Sequence, residues 1–492
     1  MALRLPRLFE KPFHGDEANQ AVKAGILLDT GVYHYDPHDH HGPTLYYLTL
    51  PVMWLSGESS FADTTETTYR IVPVLFGVAL ILLLLLTRDA LGNVPLVIAA
   101  LLTAISPAMV YYSRYYIQEM LLVFFTLGAL ACGWRYAQRP SWGWAIACGV
   151  SLALMHATKE TCILAFAAMA GGLALTALYA RWSEGQWPAL SAGFDKKRLA
   201  VAAIVAIVVS VTFFSSFFTH ARGPLDSIGT YLNYFRRAGG AGMHDKPWYY
   251  YLETLLYTRR TLGTVWSEGL IVVFAVIGGF AALTKRLPVV GSRRFLQFLT
   301  FYTLLLTCFH AIIPYKTPWS MLSFLHGMIL MAAVGMYALV NAIRWKTPRA
   351  AIAVLIALGL AHLSFQAYRA SYVYAADKRN PYVYAHTSMA LLKLVDTVED
   401  LADLHPDGYA MRIDVVEPTA DYWPLPFYLR KFTRVGYWTT PPPRIEAPVV
   451  IASTPAMRAM AEALADYDTL TFSLRPGELF YLNKAPDFPE QP

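Results

Sequence analysis

The sequence predicts an all-α polytopic membrane protein, with about ten or eleven transmembrane helices and a small C-terminal α/β domain. Three observations carry the prediction. Of 492 residues, 56% are hydrophobic and 15% charged, whereas ordinary soluble domains are nearer 25% charged. Apolar runs long enough to cross about 30 Å of hydrocarbon recur between residues 69 and 370. Beyond residue 373 the apolar runs shrink to strand length while Pro and charged residues rise.

Ten runs qualify as spans: 69–88, 95–112, 119–137, 142–157, 161–181, 199–219, 263–283, 295–313, 319–341 and 350–370, the fourth being short. Their orientation follows from Lys and Arg in short loops, which accumulate on the cytoplasmic side. One set of alternate loops holds fourteen: Arg88; Arg135 and Arg139; Arg181, Lys196, Lys197 and Arg198; Lys285, Arg286, Arg293 and Arg294; Arg344, Lys346 and Arg349. The other holds three, Arg114, Lys159 and Lys316. This bias puts residues 1–68, the 220–262 loop and everything after 370 outside the cell membrane. The net charge of +6 therefore reads as topology anchoring, and no nucleic-acid partner is expected. All four cysteines (Cys132, Cys148, Cys162, Cys308) lie in or beside apolar runs, so neither disulfides nor a thiolate zinc site is expected.

The chain opens without an apolar leader, because Arg4, Arg7, Glu10 and Lys11 interrupt its first dozen residues. Yet residues 1–68 must cross the membrane. Leu3, Leu5 and Leu8 with Arg4 and Arg7 resemble the tail of a helix, so an upstream start and an eleventh span are expected. The organisation expected is a first extracytoplasmic loop over 1–68, a membrane domain over 69–372, and a soluble domain over 373–492. In the last, helices are expected near 384–404 and 455–465, and strands near 409–416, 448–452 and 467–474.

The outward loops carry more polar residues than turns need. His14-Gly15-Asp16-Glu17 holds adjacent carboxylates, which cannot face one direction; at most one does chemistry while the other organises the backbone. A solvated acidic turn explains the pair equally well. Tyr111-Tyr112-Ser113-Arg114-Tyr115-Tyr116-Ile117-Gln118-Glu119 reads as an aromatic belt, which leaves Arg114 and Glu119 unexplained where two helices meet. Thr158-Lys159-Glu160-Thr161, His310 and Pro314-Tyr315-Lys316-Thr317-Pro318-Trp319 add lysines to the side that holds Arg70 and Arg114. Such cations commonly surround phosphate. The 220–262 loop, with Arg236, Arg237, His244 and Lys246, carries Trp248-Tyr249-Tyr250-Tyr251, and residues 247–257 are expected to form an interfacial helix. His34, Asp36, His38, Asp39, His40 and His41 are the best metal candidates; their spacing matches no defined motif, and a pH-sensitive polar loop is the favoured reading.

These motifs resemble the GT-C superfamily. Asp16-Glu17, the Gly42-Pro43 step into an amphipathic segment, Arg70 opening a span and the Arg114-to-Glu119 segment resemble glycosyltransferase family 39, which includes protein O-mannosyltransferases and aminoarabinose transferases. HGDEA, SRYYIQEM, KPWYYY, PYKTPW and WPLPFYLR resemble its prokaryotic flippase-activity-associated branch, over essentially the whole chain. The resemblance implies a catalytic Asp16 with Glu17 beside it, a phosphate-binding Arg70 and a second acidic site at Glu119. Relatives often place Lys-Pro-Pro where this chain has His41-Gly42-Pro43, so Lys159 or Lys316 is expected to replace that lysine.

The implied activity is sugar transfer from a polyprenyl-phosphate donor, outside the membrane, to a glycan, lipid or protein acceptor in envelope or protein glycosylation. A single leaving phosphate is stabilised by Arg and Lys, which makes a divalent metal optional and requires no certain cofactor. A carboxylate takes the acceptor proton and the sugar inverts. The rival expectation is a non-catalytic factor, either for translocating lipid-linked sugar or for assembling envelope glycan.

Overall fold

The computed structural model describes residues 1–38, 41–185, 187, 195–239, 242, 244–260, 263–486 and 488, apart from the side chains of Arg237 and Ala238. His40 and Asp39, counted among the candidate ligand loop, lie outside the described residues.

Helix α1 (Gly15–Thr30) starts from a reciprocal cap: His14 Nδ1 accepts the Asp16 N–H at 3.0 Å, and the Glu17 carboxylate accepts the His14 N–H at 3.1 Å. Gly31, with φ 68°, ends it in the left-handed conformation. Helix α2 (Thr44–Leu55) follows, then α3 (Glu66–Leu83), which runs through a tighter turn into α4 (Arg88–Leu91). The run expected over 95–112 is two helices, α5 (Asn93–Ile105) and α6 (Pro107–Tyr112). Pro107 has no N–H to continue the ladder, and Ser106 Oγ caps the new helix through Met109 N–H.

The remaining membrane-domain helices are α7 (Glu119–Gln138), α8 (Trp142–Thr158), α9 (Cys162–Glu184), α10 (Lys196–Phe214), α11 (Gly223–Ala238), α12 (Tyr250–Leu256), α13 (Gly269–Leu283), α14 (Arg293–Ile312), α15 (Leu322–Ala342) and α16 (Lys346–Tyr368). Among the described residues, seven helical columns are long and apolar enough to cross a membrane: Glu66–Leu91, Glu119–Gln138, Cys162–Glu184, Lys196–Phe214, Arg293–Ile312, Pro318–Ala342 and Lys346–Val373. The α5, α8 and α13 helices answer to the other three expected runs but are shorter. The Pro318–Ala342 column is the axis of the bundle, with 78% of its most apolar stretch buried, against 6% for Lys196–Phe214. Helices α13 and α15 meet backbone to backbone. A Cβ on Gly278 would stand 2.0 Å from Met331 O, and one on Gly335 2.0 Å from Phe274 O, the close approach that small residues permit between membrane helices.

The C-terminal part comprises α17 (Ala390–Leu404), β1 (Arg412–Val416), α18 (Leu425–Tyr428), β2 (Arg434–Trp438), β3 (Val449–Ser453), α19 (Thr454–Ala459), β4 (Asp468–Arg475) and β5 (Glu478–Lys484). The sheet order is β2-β1-β3-β5-β4, with β1 parallel to β2 and β3, and β5 antiparallel to β3 and β4. The three expected strands are present; β2 and β5 join them. The helix expected from 384 begins at Ala390, because Ser388 N–H donates to Leu474 O at 2.7 Å and ties the preceding segment to the sheet. This part grips the turn that leads into α1. Phe13 N–H donates to the Tyr428 hydroxyl at 2.9 Å, and the Thr387 hydroxyl donates to Phe13 O at 2.6 Å.

Candidate active site

The two adjacent carboxylates at the start of α1 have opposite surroundings. Glu17 is fully buried and receives Arg70 Nε and Nη2 at 2.8 Å each, as well as the Tyr116 N–H at 3.0 Å. Burial pushes its pKa up, but the Arg70 and Lys11 charges and these hydrogen bonds outweigh burial and hold it at about 2. Asp16, 100° further round the helix, is 53% exposed and lines a cavity of about 110 Å³. Among the described residues its ionic neighbour is His14 Nδ1, 3.9 Å from Oδ2. The first helical turn thus offers one carboxylate to the cavity and locks the other.

Across the cavity from α1 stand the residues between α8 and α9. Lys159 forms an ion pair with Glu119, the first residue of α7; both are buried. Burial draws Lys159 down, and the Glu119 and Glu160 charges more than offset it, so its pKa is raised. Glu160 accepts from His41 Nδ1 at 2.8 Å. Burial would raise the Glu160 pKa, but His41 and Lys159 hold it at about 2. The His41 loop is pinned here: Gly42 N–H donates to Thr158 O at 3.1 Å, and the Thr44 hydroxyl donates to Ala157 O at 2.5 Å. A Cβ on residue 42 would lie 2.1 Å from Ala157 O, so only glycine fits.

His310 lines the same cavity and contacts Leu306 O through Nδ1 at 2.9 Å. Tyr251, Tyr315 and Trp319 supply aromatic walls. Lys316 is turned away from it: its ammonium is buried against the carbonyls of Lys246, at 3.2 Å, and Ile313.

Arg70 and Arg114 lie on the other side of the Glu17 pair. All five Arg70 N–H groups are used, on Glu17 and on the carbonyls of Leu8 and Lys11 at 2.6 Å and Pro12 at 3.1 Å. As placed, it has no donor left for a phosphate; it ties the N-terminal segment to Glu17. Arg114 likewise donates to the carbonyls of Arg4, Pro6 and Arg7.

His34 stacks on His220 with centroids 4.6 Å apart, His38 Nδ1 is 3.3 Å from Asn233 Nδ2, and His41 takes Glu160. Among the described residues, no group of three or more His, Cys, Asp or Glu side chains is placed to hold a metal ion.

Sequence reasoning missed the contribution of α11. Thr230, Asn233 and Tyr234 line the cavity, while Leu225, Ile228, Leu232 and Phe235 form an exposed apolar stripe. The spacing 225, 228, 232, 235 is the signal of a helix lying in the membrane interface. The expected interfacial helix over 247–257 is α12, with Trp248 and Tyr249 exposed at its start.

The profile of the Dolichyl-phosphate-mannose-protein mannosyltransferase family matches residues 44–223. No curated protein sequence matches the chain. Among solved structures, ArnT from Cupriavidus metallidurans in the apo state is similar with a TM-score of 0.66 at 15% identity, over 100% of this chain and 97% of that one. ArnT bound to undecaprenyl phosphate is similar with a TM-score of 0.62 at 15% identity, over the same 100% and 97%. The archaeal oligosaccharyltransferase AglB from Archaeoglobus fulgidus, in complex with an inhibitory peptide and a dolichol-phosphate, has a TM-score of 0.53 at 15% identity, over 97% of this chain and 71% of that one. The bundle with its appended sheet is therefore an integral membrane protein with the fold of membrane glycosyltransferases. The chain has the GT-C type of fold that ArnT and AglB share.

Proposed function

We propose that this protein transfers a sugar from a polyprenyl-phosphate carrier on the extracytoplasmic face of the membrane, with Asp16 as the general base. The observation that carries the reading is the split between Asp16 and Glu17: one carboxylate stands open to a cavity beside Lys159 and His41, and its neighbour is neutralised by Arg70. A carboxylate meant only to cap a helix needs no such partner to fix its direction.

In the reaction, the acceptor hydroxyl oxygen attacks the anomeric carbon as the bond from that carbon to the phosphate oxygen breaks. Asp16 takes the hydroxyl proton, the polyprenyl phosphate leaves with the electron pair, and the sugar inverts. Lys159 stands where it can meet the departing phosphate. Glu119 keeps its ammonium charged and aimed, and His41, held by Glu160, adds a second nitrogen at the rim. ArnT bound to undecaprenyl phosphate and AglB with a dolichol-phosphate support a polyprenyl-phosphate carrier here. The aromatic walls suit a sugar ring, and the interfacial stripe of α11 suits a donor that arrives from the bilayer. The excess of Lys and Arg in the opposite loops supports the outward orientation. A family 39 transferase of the mannosyltransferase kind is the nearest chemical class.

The test is transfer by the purified protein from a panel of radiolabelled polyprenyl-phosphate sugars to a membrane acceptor extract. Labelled product with an inverted anomeric centre is expected. A protein that binds these donors and transfers none would instead be a factor for handling lipid-linked sugar.

A further inference from the structure

Behind the Glu17–Arg70 pair lies a second cavity, of about 450 Å³, which shares no lining residue with the Asp16 cavity. Its walls come from the N-terminal segment (Arg7, Lys11), the end of α6 and the turn after it (Tyr111, Arg114), the continuation of α16 (Tyr372) and the strand-side segment at Ser388. It sits at the seam between the membrane bundle and the C-terminal domain.

The charge around it does not balance. Arg4, Arg70 and Arg114 are buried, Lys11 is 11% exposed, and the buried carboxylate among them is Glu17 alone, already held by two Arg70 contacts. Around them, Glu10 pairs with Arg7 at 2.9 Å and also acts on Arg114, Glu66 acts on Arg70, and Asp377 pairs with Arg379, which still leaves cations in excess. Lys11 is the exposed edge of the imbalance. Its ammonium lies 4.0 Å from Glu17 Oε2, beyond hydrogen-bond distance, and 3.9 Å and 4.9 Å from the ring centroids of Tyr115 and Tyr111. Among the described residues no oxygen accepts from it. Buried cations without counter-charge are expensive, and ammonium groups held over aromatic faces keep their N–H groups for another acceptor. Burial, with the Arg70 and Arg114 guanidinium groups, outweighs the Glu17 charge and holds the Lys11 pKa well below its ordinary value, and an anion in the cavity acts against that pull.

We infer that this cavity is a second ligand site, for a phosphate group, with Lys11 as its principal contact and Arg114 contributing field. The inference does not depend on the glycosyl-transfer reading, since Asp16 and Lys159 take no part. The phosphate belongs either to the headgroup of an anionic lipid at the membrane surface or to a free phosphate from the surrounding medium.

The experiment uses the full chain, purified in detergent and stripped of lipid. Thermal unfolding is followed while inorganic phosphate, phosphatidylglycerol or phosphatidylcholine is titrated in, for the parent, Lys11→Met and Lys159→Met. A saturable stabilisation of the parent is expected, with half-saturation raised at least about tenfold in Lys11→Met, the loss of one charge-assisted hydrogen bond, and with a saturable stabilisation still present in Lys159→Met. Stabilisation by inorganic phosphate assigns the site to the free ion; stabilisation by phosphatidylglycerol alone assigns it to a headgroup. Should Lys11→Met fail to fold, Met389→Trp, at an exposed position on the cavity wall, is expected to weaken the same stabilisation by occupying the space. No stabilisation of the parent by any of the three ligands overturns the inference, as does a stabilisation that survives both Lys11→Met and Met389→Trp or is lost in Lys159→Met.

Discussion

Arg70 reaches Glu17 from the first turn of α3 with two 2.8 Å contacts, so the residue next to Asp16 is fixed by a guanidinium 53 positions along the chain. With Glu17 held by Arg70 and His14 capping the same turn, the half-exposed Asp16 side chain lines the cavity. Three carbonyls of the N-terminal segment complete the Arg70 shell, which makes the segment and the site one unit.

This pair predicts an acid-sensitive fold. The Glu17 pKa is held at about 2 in the folded protein, below its ordinary value of 4.5. A depressed folded pKa contributes stability above the unfolded value, and the contribution is lost as pH falls through the folded one. About 3 kcal/mol is therefore expected to disappear between roughly pH 5 and pH 2. Glu17→Gln is expected to lower stability at pH 7 by about 3–5 kcal/mol, because Arg70 stays buried without its partner, and to flatten the acid limb. Thermal unfolding of both proteins in detergent from pH 7 to pH 3 reads this. An unchanged acid limb in Glu17→Gln would remove Glu17 as its origin.

The Lys159–Glu119 pair predicts a separation of stability from donor capture. Lys159→Met leaves the buried Glu119 carboxylate alone, and Glu119→Gln added to it relieves that charge. The double variant is expected to recover most of the lost thermal stability. Neither is expected to recover donor affinity, which falls about tenfold or more with one charge-assisted hydrogen bond to phosphate. Equal affinity of parent and double variant for a polyprenyl-phosphate donor would exclude Lys159 as a phosphate contact.

The helices were legible because long apolar runs dictate membrane spans, and their breaks were less so. Ser106-Pro107 divides one run by removing a single N–H, a local event that a hydropathy window averages away. The alternative of one acting and one organising carboxylate at Asp16-Glu17 was readable from helix geometry, and the resemblance pointed to Asp16 as the acting one, whereas the hold of Arg70 on Glu17 was not readable, because no local pattern shows where a guanidinium at residue 70 ends. Lys159 and Glu119 were each visible as ionisable groups at helix ends; their partnership required the packing of α7 against the α8–α9 turn. The strand β5 was hidden because its alternation is weak, with its buried Phe480, Leu482 and Asn483 set by pairing to β3 and β4.

The proposed orientation predicts a labelling pattern. In a background without the four native cysteines, Gln138→Cys lies exposed at the end of α7 and Glu462→Cys exposed after α19. A membrane-impermeant thiol reagent applied to intact cells is expected to label position 462 and to label position 138 only after permeabilisation. The reverse pattern would place the Asp16 cavity inside the cell and exclude an extracytoplasmic donor.

The proposed chemistry rests on Asp16, and the isosteric change Asp16→Asn tests it. The amide keeps the size of the carboxylate and its place at the start of α1, and Glu17 and Arg70 still hold the turn. It cannot accept the acceptor proton, so turnover is expected to fall on the order of 100-fold or more, the usual contribution of a general base. Donor binding is expected to hold within a few-fold, because Lys159 and His41 remain. Thermal stability should hold as well, since Asp16 is half exposed and, among the described residues, its ionic neighbour is His14 at 3.9 Å. Single-turnover transfer measured with saturating donor separates the two effects: a slow chemical step with intact binding marks the base. Transfer at the parental rate would exclude Asp16 from proton removal, and parallel loss of rate, binding and stability would make it a structural residue of the α1 cap.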